Sequence, residues 1–203
     1  MKKIAITGTH GVGKTTLAHQ LVVALKENNF NVTIVEEKAR SCPFPINEKA
    51  TTDTEIWMVH TQIRAELQAK AQHYEVAVVD RCSLDAIVYW QDRNTPHPYF
   101  EKLKEAAIQW VESQYDIIVW LEPSSDTDSF AVDAVRGSSI AYRNRIRDVF
   151  REYMENLPES SKSKVIRIEA NDVFIREGDH SRAVNQIGQH VNYPVKADVC
   201  YSC

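Results

Sequence analysis

Hydrophobic residues along this chain follow two rhythms. Five short runs are apolar almost without interruption: Lys3–Thr7, Val32–Val35, Val76–Asp80, Asp116–Leu121 and Lys164–Ile168. Between them lie longer stretches in which apolar residues recur every three or four positions, the spacing of one helix face. Leu17, Leu21, Ala24 and Leu25 mark the first helix. A long one is predicted from a cap at Thr51 or Thr52 to about Tyr74, with a core stripe of Ile56, Val59, Ile63 and Leu67 and with His60 on the same side. Shorter patterns follow at Leu84–Trp90 and Tyr99–Ser113. A strong amphipathic helix carries Ile146, Val149, Phe150, Tyr153, Met154 and Leu157, and a last helix spans about Ser181–Val191. Runs with no polar alternation are typical of parallel strands buried on both faces. Strands alternating with helices therefore predict an α/β three-layer sandwich around a parallel sheet of about five strands. With no repeat and no second boundary, residues 1–192 read as a single domain and 193–203 as a tail.

The first strand is followed by Gly8-Thr9-His10-Gly11-Val12-Gly13-Lys14-Thr15-Thr16, and then by the first helix. Strand, glycine loop and helix are the context that makes G-x-x-x-x-G-K-[ST] a phosphate-binding loop. Glycines at Gly8, Gly11 and Gly13 let backbone N–H groups turn inward on a polyphosphate, and the helix start adds unpaired N–H groups and a positive dipole end. Lys14 is positioned to reach the β- and γ-phosphates, and the Thr15 hydroxyl to hold Mg²⁺. The loop from Gly8 to Thr16, including His10 and Val12, is thus the expected nucleoside triphosphate site.

Ligands of such sheets sit beyond the carboxyl ends of the strands, which here carry the glycine loop, Glu36-Glu37, Asp80-Arg81 and Glu122. Asp80 closes an apolar strand, where a second carboxylate is expected to anchor Mg²⁺ beside Thr15. Arg81 either neutralises a phosphoryl group or pairs with Asp85 or a nearby glutamate. Glu37 is the candidate base for an acceptor hydroxyl, with Arg40 near it; adjacent strand residues face opposite ways, so one of Glu36 and Glu37 faces the site. Arg143 falls within the inward arc of the helix bearing Ile146, Phe150 and Met154. Arg147 and Arg145 stand at the arc's two edges. With Arg136 in the acidic stretch before that helix, this suggests a lid over about 124–147 that brings arginines onto phosphates; a basic surface helix with intrahelical pairs is the alternative. Gln62, Tyr89, Trp90 and Phe44 are candidates for reading or stacking on a flat ring, or are ordinary surface and core.

Charge and composition narrow this reading. The chain has 203 residues, 43% hydrophobic and 26% charged, with net charge −4 and a pI near 6.0. No global basic field draws it to nucleic acid or anionic lipid. Met1-Lys2-Lys3 leads straight into the first strand, leaving no room for a signal peptide, and no apolar stretch approaches the roughly 18 residues of a membrane span. A cytoplasmic protein is the expectation. Cys42, Cys82, Cys200 and Cys203 then read as free thiols, Cys200 and Cys203 forming a lone C-x-x-C without a second ligand pair. Cys82 adjoins the Asp80-Arg81 pair and is expected to be open to alkylation.

The start G-T-H-G-V-G-K-T-T, the E-K-A-R at Glu37–Arg40 and the V-V-D-R-C-S-L-D at Val78–Asp85 resemble a family of P-loop kinases. That family includes nicotinamide riboside kinase domains and lies near the deoxynucleoside and thymidylate kinases. D-A-V-R-G at Asp133–Gly137 is similar to its lid, and the resemblance covers about residues 1–157. It implies a nucleoside/nucleotide-kinase fold and transfer of the γ-phosphoryl group of ATP, with Mg²⁺, to a small-molecule acceptor. Glu37 then matches the family's acidic residue after the second strand and Asp80-Arg81 its carboxylate–arginine pair, although deoxynucleoside kinases usually carry glutamate where Asp80 stands. Two other readings stay open: a kinase for a modified base in DNA, and a nucleotide-hydrolysing switch. The oligomeric state is also open, a homo-oligomer included.

Overall fold

The computed structural model describes residues 1–124 and 140–191. The expected lid residue Arg136, the D-A-V-R-G motif, Cys200 and Cys203 lie outside the described residues. Five parallel strands, β1 (Lys2–Thr7), β2 (Val32–Val35), β3 (Val76–Asp80), β4 (Ile117–Glu122) and β5 (Val165–Glu169), form one sheet in the order β2-β3-β1-β4-β5. The helices are α1 (Lys14–Glu27), α2 (Thr52–Ala71), α3 (Ser83–Arg93), α4 (Phe100–Gln114), α5 (Ile140–Glu155), α6 (Glu159–Lys162) and α7 (Arg182–Val191).

The pleat sorts each strand's side chains into two cores. Ile4 and Ile6 of β1, with Val76, Val78, Val119 and Leu121, pack under α1 and α7. Ala5, Val79, Ile118 and Trp120 point the other way, into a core with α2, α3, α4 and α5. Burial on both faces is why the strands lack polar alternation. The sheet is thus the middle of three layers.

The long helix departs from expectation. Thr51 caps it through a reciprocal pair with Thr54: Thr51 N donates to Thr54 Oγ1 at 2.9 Å, and Thr54 N to Thr51 Oγ1 at 3.4 Å. Its buried face, however, is Thr54, Glu55, Val59, Gln62, Glu66 and Ala69, whereas Leu67 and His60 are exposed. Of the expected stripe, Val59 is buried and Ile56 and Ile63 pack half-buried against the core, while Leu67 is exposed. The polar face turns inward because partners distant in sequence satisfy it. Glu66 receives Lys3 Nζ at 3.1 Å, the Tyr115 hydroxyl at 2.7 Å and Trp110 Nε1 at 2.9 Å. Arg93 Nη1 donates to Glu55 at 2.6 Å. Buried charge is tolerable when paired and hydrogen-bonded in this way.

A short hairpin before α7 was not foreseen. β6 (Arg176–Glu177) and β7 (His180–Ser181) pair antiparallel around Gly178, at φ 68°. Gly178-Asp179 is a two-residue turn signal, overlooked because its strands are too short to carry a hydrophobic period.

Candidate active site

The glycine loop turns between the end of β1 and the start of α1. Gly8 sits at φ 136°, and a Cβ there would fall 2.3 Å from the Leu121 carbonyl oxygen of β4, so no other residue fits. Gly13 caps α1 in the left-handed region at φ 86°. Val12 is buried among the α1 and α7 side chains and pins the loop to the core, whereas Thr16 is exposed. Lys14 Nζ folds back over the loop, donating to the carbonyls of Gly8 at 2.8 Å and Thr9 at 2.5 Å. Burial, with Arg81 nearby, lowers its pKa to about 7. A polyphosphate in the loop would offer this ammonium stronger acceptors than two carbonyls.

Thr15 and Asp80 are brought together from α1 and the end of β3. Thr15 Oγ1 donates to Asp80 Oδ2 at 2.7 Å. Asp80 is only 1% exposed, its Oδ1 has no hydrogen-bond partner among the described residues, and burial raises its pKa. A hydroxyl beside an unsatisfied buried carboxylate oxygen is a hard-oxygen donor set, the kind that suits Mg²⁺. Among the described residues no three His, Cys, Asp or Glu side chains gather as a self-sufficient metal site. A Mg²⁺ ion held by Thr15 and Asp80 would draw its remaining ligands from phosphate and water.

Glu36 and Glu37 both line a groove with Thr15 and Asp80, but their settings differ. Glu36 is exposed, whereas the Glu37 side chain is 10% exposed and ion-paired with Arg81 Nε. Arg81 also reaches Asp85 Oδ1 at 3.2 Å, so both open possibilities for Arg81 hold at once: it lines the site and it pairs with acids. Burial opposes its charge, but Glu37, Tyr89 and Asp85 together hold its pKa well above the ordinary value. Its backbone is left-handed, at φ 77°. Gln62 is buried; its amide donates to Glu66 at 3.2 Å and to the Arg81 carbonyl at 3.4 Å, steadying that turn.

Beside Glu37 and Arg81 opens a pocket of about 630 Å³, open space at its mouth included, between α2, α3 and the glycine loop. Its lining includes His10, Arg40, Glu55, Met58, Asp85 and Tyr89. His10 belongs to the glycine loop yet forms this wall: it is 5% exposed, its Nδ1 lies 3.3 Å from the Tyr89 hydroxyl, and its ring stacks on Tyr142 of α5 with centroids 5.5 Å apart. Thr9 Oγ1 donates to the Arg143 carbonyl at 3.3 Å, a second tie from loop to α5. Arg143 is half-buried and lines a different, more polar pocket with Glu122, Arg147, Arg151 and Arg167. Arg145 is turned outward to Asp92, at 3.2 Å.

Three smaller expectations are resolved. Trp90 is buried core, its indole N–H donating to the Thr95 carbonyl at 3.1 Å. Cys82 is buried, and its thiol donates to Asp85 Oδ2 at 3.2 Å. Burial and that carboxylate push its pKa well up, which argues against easy alkylation. His60, exposed, donates its Nδ1–H to the Ile56 carbonyl at 2.8 Å and stacks on Tyr99. The sequence reading also passed over Glu55 and Met58, because it limited the core face of α2 to Ile56, Val59, Ile63 and Leu67.

Comparison with known proteins is consistent with this geometry. Residues 3–173, most of the chain, match the AAA domain. The chain belongs to the AAA domain family. It is similar to a thymidylate kinase of Acinetobacter baylyi, 24% identical over 208 aligned positions that cover 89% of this chain and 98% of the relative. Among solved structures, thymidylate kinase from Ehrlichia chaffeensis superposes with TM-score 0.62 at 16% identity, covering 94% of this chain and 96% of that one. Deoxyadenosine kinase from M. mycoides with bound dATP gives TM-score 0.65 at 17% identity, over 95% of this chain and all of that one. NadR protein in complex with NR gives 0.65 at 19%, over 95% of this chain and 51% of that chain. At these identities the structures show a shared fold: the P-loop α/β sandwich of nucleoside and nucleotide kinases.

Proposed function

We propose that this chain is a kinase that transfers the γ-phosphoryl group of ATP to a hydroxyl of a nucleoside, nucleotide or related small molecule. The observation that carries the reading is adjacency: the phosphate loop, with Lys14, Thr15 and Asp80, shares a wall through His10 with a pocket that holds Glu37 and Arg81. A hydrolytic switch needs the first group and has no use for the second. The names of the relatives, thymidylate kinase and deoxyadenosine kinase, support the same class of acceptor.

In this reading the loop N–H groups and Lys14 bind the β- and γ-phosphates. Mg²⁺, held through Thr15 and Asp80, supplies charge neutralisation on the phosphates. Glu37 accepts a hydrogen bond from the acceptor hydroxyl and takes its proton as the oxygen bonds to phosphorus and the bond to the leaving ADP oxygen breaks. Arg81 orients Glu37 and faces the transferring group. The half-buried Arg143, and Arg136 before it, are proposed to close on the phosphates.

The test is a panel of nucleosides and nucleotides incubated with γ-labelled ATP and read by product mass. One acceptor gaining a phosphate, with ATP consumption rising in step, is the expected result. ATP hydrolysis indifferent to every acceptor would favour the switch.

A further inference from the structure

The pocket beside Glu37 has a polarity of its own. Tyr89, Met58, Ala39, Ile46, Ala50 and Ala86 give it an apolar lining, which suits a flat ring. Its charged groups are mostly acidic: Glu37, Glu55 and Asp85 against Arg81 and Arg40. Arg81 is already engaged by two of those carboxylates. Asp85 is further saturated by Thr7 Oγ1 at 2.7 Å and the Cys82 N–H at 2.9 Å. Arg40 is exposed, so solvent weakens its pull on an anion.

Glu55 has a different setting. It is 4% exposed, it lines the pocket, and Arg93 holds its Oε1 at 2.6 Å, which leaves the second carboxylate oxygen for a ligand. Glu37 and Arg81, beside the glycine loop, and Glu55, held by Arg93 from the last turn of α3, line this one pocket.

We propose that the acceptor is an unphosphorylated nucleoside whose base presents an N–H edge to Glu55. The inference rests on the phosphoryl-transfer reading above and narrows its acceptor. A 5′-monophosphate placed at the Glu37 end would either take Arg81 from its carboxylates or lie against them, and like charges brought together in a partly dry pocket select strongly against the ligand that brings them. Burial raises the pKa of Glu55 to about 7; an N–H donor from the base would favour its ionised form.

The experiment is calorimetric titration of the full chain, with Mg²⁺ and a non-hydrolysable ATP analogue present. The ligands are adenosine, guanosine, cytidine and thymidine, each compared with its 5′-monophosphate. At least one nucleoside should bind about tenfold or more tighter than its monophosphate, the scale of a like-charge penalty. Glu55→Gln should weaken that nucleoside roughly ten- to hundredfold, the value of a hydrogen bond to a charged group. In that variant Arg93 takes the amide oxygen and an NH₂ faces the donor. The wild-type comparison decides the charge argument even if Glu55→Gln does not fold. Tighter binding of monophosphates, with diphosphate products from labelled ATP, overturns this inference and leaves the kinase reading standing. An unchanged nucleoside affinity in folded Glu55→Gln overturns the role of Glu55. If no nucleoside or monophosphate binds and ATP hydrolysis ignores them all, the kinase reading itself falls and takes this inference with it.

Discussion

Glu37 and Arg81 stand just beyond the ends of the neighbouring strands β2 and β3, and Arg81 Nε donates to the Glu37 carboxylate at the wall of the pocket beside the glycine loop. The pair turns two adjacent strand ends into one charged unit. Arg81 also holds Asp85, so the guanidinium fixes the direction in which Glu37 points.

Glu37→Gln preserves shape and the hydrogen bond from Arg81 but removes the proton acceptor. Acceptor-dependent turnover should fall roughly 10²–10⁴-fold, the usual range for a positioned acid–base group. Glu36→Gln should stay close to wild type, because Glu36 is exposed. Steady-state kinetics on the two variants side by side make the measurement; equal effects would remove Glu37 from the mechanism.

Lys14 links nucleotide binding to pH. In the nucleotide-free protein its pKa is lowered to about 7, so at pH 8 the amine is mostly neutral, and phosphate oxygens would restore its proton. Binding of an ATP analogue at pH 8 should therefore take up roughly 0.9 proton, and affinity should decline as pH rises above 7. The sign reverses for folding: the unfolded chain holds this proton up to the ordinary lysine range, so the free protein gains stability as pH climbs from about 7. Calorimetry in buffers of different ionisation enthalpy measures the uptake. Lys14→Met should abolish both the uptake and phosphoryl transfer.

Asp80→Asn separates metal binding from folding. Without Mg²⁺ the variant should melt at least as high as wild type, because it removes a buried carboxylate whose Oδ1 is unsatisfied. In activity assays the half-saturating Mg²⁺ concentration should rise about tenfold or more, since a metal-ligand charge is lost. Melting curves and a Mg²⁺ titration give the two readouts, and an unchanged Mg²⁺ requirement would place the metal elsewhere.

Lys3 and Glu66 test the scaffold rather than the site. Their side chains are 2% and 0% exposed and 3.1 Å apart. Lys3→Met strands the Glu66 charge and should cost about 3–5 kcal/mol in denaturant unfolding. Lys3→Met combined with Glu66→Gln should recover much of that loss, because the uncompensated charge is gone while Tyr115 keeps an acceptor. Additive losses would show that Lys3 acts by packing alone.

The residues that could be placed from sequence are those whose chemistry depends on near neighbours. The glycine loop needs only a strand before it and a helix after it, so Gly8, Gly13, Lys14 and Thr15 were legible from one short stretch. The five strands were legible to within a residue or so, because burial on both faces leaves unbroken apolar runs with no competing period. The placement of Asp80 and Glu37 at neighbouring strand ends followed from the same pattern. What the sequence could not determine was which way α2 turns. Its apolar stripe and its polar stripe each have helical spacing, and intrinsic pattern favours burying Ile63 and Leu67. The choice was made by Lys3, Tyr115, Trp110 and Arg93, which satisfy Glu66 and Glu55 from remote parts of the chain. Only the folded arrangement brings those partners within hydrogen-bond distance, and with them the acidic wall of the pocket beside the glycine loop. Local rules set the phosphate side of this protein; long-range pairing of buried charge shaped the pocket beside it.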